Sequence, residues 1–188
     1  YCILEPVGKG GGGKVYLARD LELGVLWAVK EVPFSGKSEA QMLLKLSHPS
    51  VPKMVDYIEN GRSCYLVMEY IRGKSLGEYL REGKCFSVNE IIRFGMEIAE
   101  VFVYLHGHRP PVYYGDLKPD NLMLGGAVNG YRYEQRMCMG TAGFAAPEQY
   151  EGKINAATDI YTFGKTLAVL CKKADFPLFI RNVSLFWL

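Results

Sequence analysis

The segment Tyr114-Gly115-Asp116-Leu117-Lys118-Pro119-Asp120-Asn121 sets an ammonium two residues, and a carboxamide five residues, after one aspartate. That set suits phosphoryl transfer. A carboxylate accepts the proton of an attacking hydroxyl, a cation offsets charge on the moving phosphoryl group, and an amide oxygen can ligate Mg²⁺. A polar turn after a strand would use the same residue types, so the segment gains weight only from what accompanies it.

Three companions stand upstream. Gly8-Lys9-Gly10-Gly11-Gly12-Gly13-Lys14-Val15 has the spacing G-x-G-x-x-G-x-V. Glycines there let a backbone approach phosphates and offer N–H donors, although a plain flexible hairpin would also accept them. A dinucleotide site would need a helix directly after the glycines, whereas Val15-Tyr16-Leu17-Ala18 continues as strand. Lys30 ends the apolar run Trp27-Ala28-Val29, where a solvent-facing strand lysine is the ordinary alternative. Glu39 shares a helix face with Leu43 and Leu46, and a charge on a buried stripe is costly unless paired. Lys30 is its natural partner, with an exposed glutamate at a helix start as the alternative.

Taken in order and spacing, these segments resemble the protein kinase family, and in style a bacterial serine/threonine kinase. Asp116-Leu117-Lys118-Pro119-Asp120-Asn121 matches the catalytic loop, with lysine two places after the aspartate as in serine/threonine enzymes. The resemblance implies Asp116 as base, Lys118 as phosphate contact and Asn121 as Mg²⁺ ligand. It implies a Lys30–Glu39 ion pair aimed at the α- and β-phosphates, and a glycine loop of Gly8, Lys9, Gly10, Gly13 and Val15 over ATP. Ala28, Met68 and the hinge backbone from Glu69 to Ile71 would enclose the adenine. Gly140-Thr141 through Ala146-Pro147-Glu148 matches the end of the activation segment, with Thr141 beside Asp116 and Lys118. Asp159 matches the helix aspartate that anchors the catalytic-loop backbone. The implied cofactors are ATP and Mg²⁺, and the implied partner is a protein bearing a Ser or Thr hydroxyl.

The chain also departs from that pattern. No D-F-G follows Asn121, and no aspartate occurs between Asp120 and Asp159. Gly125 reads as the remaining glycine of that motif, with the strand before it deleted. Gly115 and Tyr114 replace the usual arginine and histidine. Residues 125–140 hold no Ser or Thr, so no switch by serine/threonine phosphorylation is expected there. The resemblance would pair Glu148 with an arginine from a part of the family's helical lobe that this sequence does not match. A nucleotide-holding module without turnover, or an inactive truncated fragment, therefore stands as the alternative to an active kinase.

The elements needed to position these residues are legible. Strands are expected over Val7–Asp20, Val25–Val32, Met54–Glu59 and Cys64–Tyr70, the last two joined at Asn60-Gly61. Ser38/Gln41, Ser75/Glu78 and Ser87/Glu90 read as capping boxes opening helices. Ile91, Gly95, Ile98, Phe102 and Leu105 form one buried stripe, and Ile160, Phe163, Leu167 and Leu170 another. The expected fold is α+β and two-lobed. Residues 1–71 would form an N-lobe of five strands and one helix, and 72–188 a partial helical C-lobe.

Composition agrees with a packed domain: 49% hydrophobic, 22% charged, net charge +2. That charge argues against nucleic acid or an anionic membrane as partner. No transmembrane segment is evident, and five scattered cysteines without a C-x-x-C pair point to reduced thiols and a cytoplasmic setting.

Overall fold

The computed structural model describes residues 1–10, 13–33, 43–61, 63–125, 127–128, 140–172 and 174. Five antiparallel strands, β1 (Cys2–Gly10), β2 (Gly13–Arg19), β3 (Leu26–Pro33), β4 (Met54–Asn60) and β5 (Ser63–Glu69), form a sheet in the order β1-β2-β3-β5-β4. Strand alternation divides its side chains between two faces. Ala18, Val29 and Val67 pack together on one face, with Trp27 and Tyr65 against them. The register Val15↔Lys30, Leu17↔Ala28, Lys30↔Leu66 and Ala28↔Met68 aligns the other set, which faces a cleft.

β1 begins at Cys2, ahead of the expected Val7. Pro6 hides the strand in the sequence because it cannot donate to a ladder. The chain tolerates it because β1 is an edge strand with irregular pairing between Pro6 and Gly8. The β4–β5 turn falls at Asn60-Gly61, with Gly61 at φ +52°. Of the helix expected from Glu39 to Leu46, residues 39–42 lie outside the described residues, as does the Ser38/Gln41 box. Leu43 to Leu46 form a turn closed by the Leu46 N–H on the Leu43 carbonyl at 3.1 Å.

The second part is built on α1 (Leu76–Arg81), α2 (Val88–His106) and α3 (Ala156–Lys172). Ser75 and Ser87 cap α1 and α2, and both capping boxes are complete. α2 buries Ile91, Phe94, Ile98, Val101, Phe102 and Leu105 in the main core with Leu76, Phe86, Leu117, Leu122 and Leu170.

For α3 the expected apolar stripe holds at Phe163, Leu167 and Leu170, which pack in the main core, and needs correction at Ile160. Ile160 is 58% exposed, whereas Thr158, Asp159, Thr162 and Thr166 are buried. Beside those apolar residues the inward face is polar because Thr158, Asp159 and Thr166 bond backbone and side-chain groups of other segments. β6 (Lys74–Ser75), β7 (Met123–Gly125) and β8 (Ala127–Val128) make a small second sheet. Gly125 is thus the last residue of β7, paired with Ala127, rather than a loop glycine. The architecture is α+β and two-lobed, a small β-rich lobe above a shortened helical one.

Candidate active site

The catalytic-loop segment is fixed from below by α3. The fully buried Asp159 accepts from the Tyr114 N–H at 2.9 Å and the Gly115 N–H at 2.7 Å. His106, at the end of α2, lies 2.7 Å from the same carboxylate. Gly115 has φ +73°, a conformation that costs a residue with a Cβ roughly 1–2 kcal/mol. Its carbonyl accepts from Gln149 Nε2 at 2.7 Å, and Gln149 Oε1 accepts from the Ala146 N–H. Thr166 Oγ1 donates to the Leu117 carbonyl at 3.2 Å. Glu148 is not isolated, contrary to expectation: Thr158 Oγ1 donates to it at 2.7 Å.

Above this frame four side chains converge. Thr141 Oγ1 donates to Asp116 Oδ1 at 2.7 Å and accepts from Lys118 Nζ. Lys118 Nζ is 3.0 Å from Asp116 Oδ2. Asn121 Nδ2 donates to the Asp116 carbonyl at 2.8 Å and to Asp116 Oδ2 at 3.2 Å. The 3₁₀ turn Pro119–Asn121 presents Asn121 toward Asp116.

A cleft of about 720 Å³ separates the sheet from this loop. Gly8, Val15, Ala28, Lys30 and Met68 line it on the strand side, and Lys118, Asn121 and Thr141 on the loop side. Glu69 and Ile71 border it where the two parts join. Lys30 is 3% exposed. Glu39 lies outside the described residues. Lys9, Gly10 and Gly13 belong to the β1–β2 hairpin, where Lys9 pairs with Lys14 and Gly10 with Gly13. Asp116 is not among the lining residues but is joined to three that are, Thr141, Lys118 and Asn121.

Sequence reasoning missed Gln149 and the Thr158/Thr162/Thr166 stripe. The threonines recur every four residues, a helical period that marks one face when polar positions are counted along with apolar ones. Gln149 carries no such signal, because its partner Gly115 is thirty-four positions away.

A family model described as the protein kinase domain matches residues 1–182. The chain belongs to the protein kinase family. This kinase chain is 36% identical over 196 residues to the serine/threonine-protein kinase PknG of Mycolicibacterium smegmatis, an alignment covering 90% of the chain and 25% of that relative. It is 28% identical to serine/threonine-protein kinase B of Synechocystis, covering 90% of the chain and 36% of that protein. Among solved structures, Rad53 1–466 in complex with AMP-PNP superposes with a TM-score of 0.79 at 24% identity, over 89% of this chain and 47% of that one, a likeness of fold. The kinase chain thus spans about a quarter of the length of its PknG relatives. Among the described residues no helix is long and apolar enough to cross a membrane.

Proposed function

We propose that the chain is the nucleotide-binding and catalytic-loop part of an ATP-dependent serine/threonine protein kinase. The observation that carries this reading is the convergence of Lys118, Asn121 and Thr141, each joined to Asp116, on the floor of a cleft whose roof holds Gly8, Val15, Ala28 and Lys30. The cleft has the size of a small-molecule pocket. Ala28, Val15 and Met68 suit an adenine ring, and Lys30 and Lys118 suit phosphates. In the transfer step, the acceptor hydroxyl gives its proton to Asp116 as its oxygen bonds the γ-phosphorus. The bond from that phosphorus to the bridging β-oxygen breaks, and ADP leaves. Lys118 offsets the charge, and Thr141 holds Asp116 in place.

Mg²⁺ fits less well. Asn121 uses its amide nitrogen on Asp116 and offers its oxygen. Among the described residues no cluster of three His, Cys, Asp or Glu could hold a metal. The described residues alone do not make a resident Mg²⁺ site, and a metal would arrive on the nucleotide's phosphates.

The lack of an aspartate between Asp120 and Asp159 favours a second reading, a module that binds nucleotide without turnover. One experiment separates the two. ATP binding and phosphate transfer to a generic protein substrate are measured with Mg²⁺, beside Asp116→Asn. Transfer that falls about 10²- to 10⁴-fold in the variant supports the enzyme. Binding without transfer in either protein supports the second reading, and no binding overturns both.

A further inference from the structure

Gln149 lies in the 3₁₀ turn Pro147–Glu151 and is 2% exposed. A carboxamide buried this deeply is costly unless both of its ends are bonded. Here the two ends serve different stretches of chain. Nε2 donates to the Gly115 carbonyl at 2.7 Å, and Oε1 accepts from the Ala146 N–H at 2.9 Å. The partners fix which end is which, because a backbone carbonyl only accepts and an N–H only donates.

The Gly115 carbonyl belongs to the peptide that leads into Asp116. That peptide is planar, so its orientation sets the direction in which the Asp116 side chain leaves the backbone. Asp159 holds the preceding peptide through the Gly115 N–H at 2.7 Å, and Gln149 holds this one. The other end of the amide meets the 140–146 loop. The Thr141 carbonyl accepts from the Phe144 and Ala145 N–H groups at 2.9 Å each. A Cβ on Gly140 would sit 2.8 Å from Gln149 Oε1 and 2.8 Å from the Ala145 Cβ, so the loop packs against that oxygen. Thr141 leaves this loop to donate to Asp116 Oδ1 at 2.7 Å. One amide therefore grips the residue before Asp116 and the loop that carries Thr141.

We propose that Gln149 is a positioning residue for phosphoryl transfer, its amide setting the spacing between Asp116 and Thr141. The inference rests on the transfer reading above and adds a residue to it. Gln149, Gly115, Gly140 and Ala146 are not among the residues that line the cleft, so the amide acts on the base and leaves the nucleotide contacts alone. Misplacement of a reacting group by about 1 Å can cost on the order of a hundredfold in rate. A residue that only braced the 3₁₀ turn would have no such link to Thr141.

Two variants test this. Gln149→Met keeps the length of the side chain and removes both bonds. Gln149→Asn keeps the amide but is one methylene shorter, so it reaches one partner at most, and it carries the test where Gln149→Met gives no cooperative melt. Phosphate transfer and the ATP-induced rise in melting temperature are measured for each, alone and combined with Thr141→Val. The expected result is a fall in kcat of about tenfold or more with the ATP-induced rise unchanged. In the Thr141→Val background the same change costs less than about threefold, because the contact it positions is already gone. Losses that multiply overturn the proposal, since the amide then acts independently of Thr141. An unchanged kcat in a folded variant overturns it too, as does a lost ATP-induced rise. A wild-type chain without transfer refutes the enzyme reading instead, and the same cycle is then read on denaturation midpoints. A Thr141→Val shift that shrinks in the Gln149→Met background supports the positioning, and additive shifts overturn it.

Discussion

Asp116 is restrained from three directions, and each restraint has a distinct consequence. Lys118 and Asn121 come from its own loop, whereas Thr141 arrives from a segment twenty-five residues on. The Thr141 hydroxyl is spent in both senses, donating to Asp116 and accepting from Lys118. Thr141→Val removes both bonds while keeping the volume. Transfer should fall at least tenfold, or about 1.4 kcal/mol of transition-state stabilisation, with nucleotide affinity little changed. Thr141→Ser should retain most of the rate. Equal losses in the two variants would show that the hydroxyl is not what holds the base. Below the loop, Gly115→Ala should destabilise by about 1–2 kcal/mol, read as a lower denaturation midpoint without a change in slope. The added Cβ would also sit 3.3 Å from Ile154 Cδ1, so a wild-type midpoint would contradict the left-handed backbone at this residue.

At the scale of elements, local signals were readable and remote ones were not. The boxes at Ser75 and Ser87 are complete within four residues, so the sequence alone placed the starts of α1 and α2. The stripe on α2 was equally plain, since its neighbours are apolar. α3 defeated the same logic at Ile160. Its inward face serves partners far off in the chain, Tyr114, Gly115 and Leu117, that want hydrogen bonds rather than contact with hydrocarbon. β1 was shortened for a similar reason, because an edge strand can carry a proline that a central strand cannot. The catalytic loop was legible because its residues are contiguous, whereas Gln149 acts only through the fold.

The boxes also make a pH prediction. The Ser75 and Ser87 N–H groups, foremost, hold Glu78 and Glu90 below their ordinary value of 4.5. Carboxylates lowered in the fold contribute stability above that value, and the contribution disappears as pH falls through the folded pKa. Glu78 is exposed and Glu90 half-buried, so each is worth only about a few tenths of a kcal/mol. Glu78→Gln with Glu90→Gln should therefore flatten the loss of stability between about pH 5 and 3 relative to wild type. Paired denaturation curves check this, and unchanged curvature would mean that the caps do not depend on charge. Desolvation raises Glu97, which acts with the opposite sign, so the difference between variant and wild type is the informative quantity.

Across the whole molecule, the cleft joins parts that among the described residues otherwise touch through few groups. Leu46 packs into the main core and the Ser47 N–H bonds Tyr104 Oη at 2.7 Å, which ties the strand-side segment to α2. A nucleotide held by Val15, Ala28 and Lys30 on one side and by Lys118 and Asn121 on the other adds a bridge that exists only in the folded state. Ligand at a hundred times its dissociation constant stabilises by about 2.7 kcal/mol. For a chain of this length that is a rise in melting temperature of about 5–10 °C. Lys30→Met should remove most of the rise, because the buried ammonium lies on the path of the phosphates. Asp116→Asn should keep it while losing transfer, since Asp116 is not among the residues that line the cleft. Mg²⁺ should add little to the shift, and Asn121→Ala should remove what it adds, because Asn121 is the protein oxygen offered to the metal. A large Mg²⁺ increment that survives Asn121→Ala would place a second metal ligand outside the described residues and reopen the case for full catalytic competence.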